Sequence, residues 1–216
     1  MPAFPTPEPI AVTVDILSGR VEVVASDRSD TVVEVRPADA SKKSDVRAAE
    51  QTRIAFTDGT LTVKSAKEWR TYTPFGGNPS VEVTIEVPAG SRLRATAGVG
   101  RLVGAGDLGP CELEIAAGDI EVERPREAVT AKAAKGDIRI GEASRGVLRL
   151  ETSMGDLEVG IHPDSAVRLE TNAQHGTVQN SMRPVAGSAG NADTVQVFAR
   201  NSYGNVIIRH ATPAQH

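Results

Sequence analysis

A phrase of the form Gly-Asp-aliphatic-charged-aliphatic recurs through the middle of this chain: GDIEV starts at Gly118, GDIRI at Gly136 and GDLEV at Gly155. The intervals are 18 and 19 residues, too short for a unit that could bury an apolar face by itself. A fixed period of this length therefore forces each copy to stack on its neighbours. Aligned on the glycine, the phrase extends to Gly19, Gly59, Gly100, Gly176 and Gly204. Two residues after each glycine stand Val21, Leu61, Leu102, Ile120, Ile138, Leu157, Val178 and Val206, all aliphatic. Two further on come Val23, Val63, Gly104, Val122, Ile140, Val159, Asn180 and Ile208, so a period-2 strand has one apolar face with exceptions at Gly104 and Asn180.

A second strand precedes the glycine. Leu93, Cys111, Val129, Leu148, Leu169 and Val197 form one upstream column, and Ala95, Leu113, Ala131, Leu150, Thr171 and Ala199 another. The mixture of large and small side chains suits interdigitating layers. The outward columns alternate in charge: Glu121, Arg139, Glu158, Gln179 after the glycine, and Glu114, Lys132, Glu151, Asn172 before it. Side by side in a parallel sheet these become cross-strand neighbours about 4.8 Å apart, where opposite charges attract. The pattern predicts an all-β fold, a β-solenoid of parallel rungs with two strands and a glycine turn in each.

The beginning is less regular. Its first glycines are 40 and 41 residues apart, with extra strand candidates at TVVEVRP (31 to 37) and VEVTIEVP (81 to 88) and a short helix over 39 to 51. This predicts a partly antiparallel N-terminal part. One domain is expected over residues 1–210, with irregular strands over 10–80 and regular rungs over 81–210, followed by a disordered tail at 211–216. An exposed loop is expected at 183 to 194, and Phe198 and Tyr203 are expected to plug the C-terminal end.

The motifs VPAGSRLRATAGVGRLVGAGDLG (87 to 109), GDIEV, GDIRI and GDLEV resemble the DUF4097 family, also known as toast-rack proteins or candidate adhesins, over roughly residues 10 to 210. The resemblance implies a single-stranded β-helix and, because relatives occur as modules of bacterial envelope-stress proteins, an interaction role in an envelope-stress or transport-linked system. The 18 arginines against 6 lysines fit a GC-rich bacterial, actinobacterial, source. The start MPAFPTPEPIAVTV has neither a basic region nor a long apolar core, so a cytoplasmic protein without membrane insertion is expected, in contrast to a surface adhesin.

No catalytic signature stands out, and a non-enzymatic protein is expected, with no cofactor. A net charge of −4 and a pI near 5.6 disfavour nucleic acid, since no basic patch is available to neutralise phosphates. Aromatic residues make up only 3% of the chain, which leaves little to stack on sugars and disfavours carbohydrate-binding or carbohydrate-active chemistry. Asp119, Asp137 and Asp156 in successive rungs are formal Ca²⁺ candidates, but Asp after Gly is also an ordinary turn residue that accepts backbone N–H bonds. Cys111 lies in an aliphatic column and is expected in the core, excluding an intrachain disulfide as the sole cysteine. His162, His175, His210 and His216 form no metal-binding motif. Trp69, Tyr72 and Phe75, three of the seven aromatics, cluster with Arg70 in one Pro- and Gly-containing segment. They are the candidate site for a protein partner, or alternatively a cover for the end of the stack; self-association is the other expected contact.

Overall fold

The computed structural model describes residues 2–66, 79–182 and 193–211. In chain order the elements are β1 (Ala3–Pro5), β2 (Ala11–Ser26), β3 (Asp30–Pro37), α1 (Lys43–Gln51), β4 (Arg53–Thr57), β5 (Thr60–Lys64), β6 (Val81–Pro88), β7 (Arg92–Leu108), β8 (Cys111–Pro125), β9 (Val129–Lys135), β10 (Ile138–Ala143), β11 (Gly146–Met154), β12 (Leu157–Ile161), β13 (Ala166–His175), β14 (Val178–Asn180), β15 (Thr194–Tyr203) and β16 (Val206–His210). Among the described residues, all sixteen strands belong to one sheet, so the protein is mostly β.

The period-2 columns become the core. Leu93 lies opposite Cys111, Cys111 opposite Val129 and Val129 opposite Leu148, all in parallel register. Beyond the glycine, Leu102, Ile120, Ile138 and Leu157 are aligned in the same way. Each of these four is at most 1% exposed. Burying one such aliphatic side chain contributes about 1.5–3 kcal/mol, so the stacked columns are the main source of stability. The exception at Gly104 has a packing cause: a Cβ there would lie 2.6 Å from Leu108 Cδ1, and Leu108, fully buried, fills that space.

The recurring glycine does more than turn the chain. At Gly136, φ is +142°, and an added Cβ would lie 1.9 Å from the carbonyl oxygen of Gly118 in the rung below. Gly118 meets the Gly100 oxygen likewise, at 1.8 Å. The glycines therefore form a column in which each backbone rests on the next, leaving no room for a side chain. Next to it, buried Thr152 donates from Oγ1 to the Gly136 carbonyl (2.9 Å) and Asn201 from Nδ2 to the Gly155 carbonyl (2.7 Å).

Antiparallel pairs occur in the N-terminal part, as β1 with β3, β3 with β6, and β4 with β5. Regularity nevertheless starts before residue 81: β2 is already a full rung, paired with β7 from Ala11 opposite Arg92 to Ala25 opposite Gly106. On its other side β2 holds β5 and β6 end to end. The first rung in sequence is thus second in space. The C-terminal end repeats this exchange. β15 lies between β11 and β13, and β16 between β12 and β14, so the last rung in sequence is inserted before the one that precedes it. Its core residues Val195, Val197, Ala199, Val206 and Ile208 are fully buried, whereas Val178 at the edge is 46% exposed. The more aliphatic rung takes the interior and the more polar one, with Thr171 and Asn180 in core columns, takes the edge.

This order corrects three expectations. Phe198 and Tyr203 do not plug the end, because β15 is an interior strand; Phe198 lies under Arg149, whose guanidinium carbon is 5.5 Å from the ring centroid, and Tyr203 stacks on His175 at 4.7 Å. The charge columns continue from Glu158 to Ile207 and from Glu151 to Arg200, in place of Gln179 and Asn172. Finally, Ala211 is not part of a loose tail: it is buried, and its N–H donates to the Ile161 carbonyl at 2.8 Å. The helix occupies Lys43–Gln51, shorter at its start than 39 to 51, because the Asp39 carboxylate accepts from the Ser41 N–H and hydroxyl in a local turn instead.

Candidate functional site

The aspartates after the glycine form a hydrogen-bonded column. Asp119 Oδ1 accepts the Asp137 N–H (3.1 Å), Asp137 Oδ1 the Asp156 N–H (2.9 Å), and Asp156 Oδ1 the Asn205 N–H (2.7 Å). Asn205 Oδ1 then accepts from the Thr177 N–H and hydroxyl. Each side chain thus caps a backbone donor in the adjacent rung, at the corner where the sheet ladder is interrupted. Asp137 Oδ2 also accepts from Arg139 Nη2 at 3.2 Å. This is a structural role for the three calcium candidates, and among the described residues no group of three or more His, Cys, Asp or Glu is placed to hold a metal ion.

The outward charges form the second feature. Arg101 bonds Glu121 at 2.7 Å, while Glu158 is held between Arg139 (3.6 Å) and Arg209 (2.7 Å). On the strands before the glycine, Glu114, Lys132, Glu151 and Arg200 are successive cross-strand neighbours, a sequence of alternating sign over four rungs. These exposed pairs are individually weak, but alternation fixes register.

Beside this second ladder is a groove of about 590 Å³ on the outer face, lined by Lys132, Arg149, Glu151, Glu170, Phe198 and Arg200 among others. It combines a Phe ring with two arginines, residue types enriched at protein interfaces, and flanks them with acids. Sequence reasoning missed this site because it depends on rung order: Phe198 comes beside Arg149 only when residues 194–203 lie against β11. Arg200 carried the available signal, since it extends the alternation after Glu151 where Asn172 does not.

Trp69, Arg70, Tyr72 and Phe75 lie outside the described residues. Cys111 is buried, and its thiol donates to the Gly109 carbonyl at 3.4 Å; burial pushes its pKa up to about 12, consistent with a packing residue. His162 is 3.6 Å from Glu142 through Nε2 and caps the Asp164 N–H through Nδ1. His175 contributes to the Tyr203 stack, while His210 lies opposite Ile161. His216 is outside the described residues. Among the described residues, no helix is long and apolar enough to cross a membrane.

An all-β chain of stacked glycine-cornered rungs is the class of protein that these features define. The Toastrack DUF4097 family model matches residues 10–180, and the chain belongs to that family. Among solved structures, a candidate cell adhesion protein from Clostridium sporogenes ATCC 15579 is 10% identical with a TM-score of 0.57, covering 97% of this chain and 98% of that one. A candidate adhesin from Bacteroides fragilis NCTC 9343 is also 10% identical, with a TM-score of 0.44 and coverages of 96% and 95%. The first likeness is one of fold. No curated protein matches the sequence.

Proposed function

We propose that the protein is a non-enzymatic protein-interaction module, wound as a single-stranded parallel β-helix and presenting its outer groove to a protein partner. The winding is supported by parallel registers offset by 18 or 19 residues and by the two-residue link, Gly109 and Pro110, between β7 and β8. One observation carries the interaction reading: Phe198, Arg149 and Arg200 are brought together on the paired strands β11 and β15, with Lys132, Glu151 and Glu170 around them. Rigid display lowers the side-chain ordering that binding must overcome. Trp69, Arg70, Tyr72 and Phe75 form a second proposed contact, in the segment joining β5 to β6. The proposed setting is the cytoplasm, in an envelope-stress or transport-linked system, with a bacterial source.

Crosslinked affinity purification from the native host tests this reading. We expect a specific protein to be recovered with the wild type and lost with an Arg149→Ala, Phe198→Ala variant of unchanged fold; a Trp69→Ala, Tyr72→Ala, Phe75→Ala variant tests the second contact. Recovery of no other protein with the wild type overturns the proposal. An adhesin is the alternative, favoured by the fold shared with the C. sporogenes protein. Cell fractionation separates the two, since recovery at the cell surface replaces the cytoplasmic module by the adhesin.

A further inference from the structure

The two ends of the sheet finish differently. At one, the outer rung of β5 and β6 is backed by β3 and β4, with β1 beyond β3. At the other, β13 pairs with β15 on one side and with no described strand on the other. β13 is ten residues long, against five in β4 and three in β1. Its sequence, AVRLETNAQH, has none of the proline, lysine or inward-pointing charge with which proteins blunt an edge. Its inward residues Val167, Leu169, Thr171 and Ala173 are half-buried, although their partners Val195, Val197 and Ala199 are fully so. Among the described residues, no strand closes the core column at this edge.

The hydrogen-bonding groups of the edge follow from its parallel ladder. The Ala166 N–H donates to the Asp193 carbonyl at 3.0 Å. Alternation then turns the groups of Arg168 and Glu170 toward β15, and those of Val167, Leu169 and Thr171 toward the open side.

We propose that this edge is a self-complementary contact, in which β13 pairs antiparallel with β13 of a second copy about a twofold axis through Leu169. Sidedness and charge select this register. Inward residues must oppose inward residues, so the register can slip only in steps that keep the faces matched. With Leu169 opposite Leu169, the Val167 and Thr171 of different copies meet on the inner face, and Arg168 of each copy faces Glu170 of the other twice. One slip in either direction sets Arg168 against Arg168 or Glu170 against Glu170, which is repulsive. The same register pairs the outward-directed groups: the two Leu169 residues exchange both bonds, as do Val167 and Thr171. A closed twofold contact also ends the stack without leaving a new edge of this kind.

This contact shares Glu170 with the proposed groove, but its test is separate, because the purified full chain alone is measured. Sedimentation equilibrium over a concentration series up to about 1 mM, where even millimolar affinity shows, should give a species of twice the 22.7 kDa monomer. Arg168→Glu alone, and Glu170→Arg alone, should each weaken the dimer about tenfold or more, because both symmetry-related pairs become repulsive. Both side chains are exposed, and unchanged circular dichroism and melting would show that each variant is folded. An equimolar mixture of the two variants should recover the dimer as a heterodimer, and the Arg168→Glu, Glu170→Arg double variant should recover it alone. A wild type that stays monomeric throughout overturns the proposal. So do folded single variants that dimerise unchanged, variants that fail to pair on mixing, or an open-ended series of larger species, which would mean head-to-tail contact through β4.

Discussion

Replacing Gly136 by alanine should damage this fold far more than a change of one methyl group suggests. Two effects add. At φ +142°, an L-residue is held in a conformation that costs about 1–3 kcal/mol. The new Cβ would also lie 1.9 Å from the Gly118 oxygen and 2.5 Å from its carbonyl carbon, contacts that only backbone movement can relieve. Such movement pulls apart the rungs on either side, where Gly136 N–H donates to Met154 and Ile120 N–H to Asp137, bonds worth about 1 kcal/mol each. The expected loss is about 4 kcal/mol, or roughly 10 °C in Tm for a chain of this size. Gly59 is the internal control. Its φ is +71°, but an added Cβ would meet nothing within 4 Å, so Gly59→Ala should cost only about 1 kcal/mol. Urea unfolding followed by circular dichroism measures both. Equal losses for the two variants would refute the stacked-glycine argument, because only at Gly136 does a neighbouring backbone lie against the new methyl group.

Three further outcomes follow. Asp137→Ala leaves the Asp156 N–H without its acceptor and Arg139 without one of its two carboxylates, and should cost about 1–3 kcal/mol in urea unfolding, whereas Asp137→Asn should recover most of it, as Asn205 serves the same column. Arg139→Glu places like charges beside Glu121 and Glu158 and should lower stability by about 0.5–1 kcal/mol at low salt, a loss that salt should shrink because the pair is half exposed. Native Cys111 should resist thiol reagents at neutral pH until the chain unfolds. Because its pKa is raised to about 12 by burial, the folded state keeps a proton that the unfolded chain releases, so this residue's contribution to stability falls as pH rises above the unfolded value near 9 and toward 12. Alkaline urea titrations of wild type and Cys111→Ala should diverge in that window.

The glycine period made the columns legible. Ile120, Ile138 and Leu157 could be aligned without coordinates because a parallel rung repeats inward and outward positions at a fixed offset, and the opposed charges of Glu121, Arg139 and Glu158 followed from the same alignment. Spatial order was not legible in the same way. Parallel strands need only a connection long enough to reach, so nothing in an offset of 28 residues between Gly176 and Gly204 says which rung lies nearer the core. The polarity of Thr171, Val178 and Asn180 against Val197, Val206 and Ile208 held that information, as did the cation at Arg200. The glycine itself was recognisable as a turn residue, but its role as a spacer between stacked backbones appears only when the Gly118 carbonyl is placed beneath Gly136. The aspartates similarly read as turn residues or as carboxylates awaiting a cation, until the adjacent rung supplied the N–H that each one caps. The outer groove depended entirely on rung order, since Arg149 and Phe198 are separated in sequence by an edge rung that lies beyond them in space.

The most direct measurement of the interaction reading is photo-crosslinking in living cells from a reactive residue at position 198, with one at position 22, on the outer face of β2, as the reference. The groove account predicts a discrete adduct with another protein from position 198, absent from position 22 and abolished by Arg149→Ala. Adducts of equal yield from both positions, or none from position 198, would contradict it.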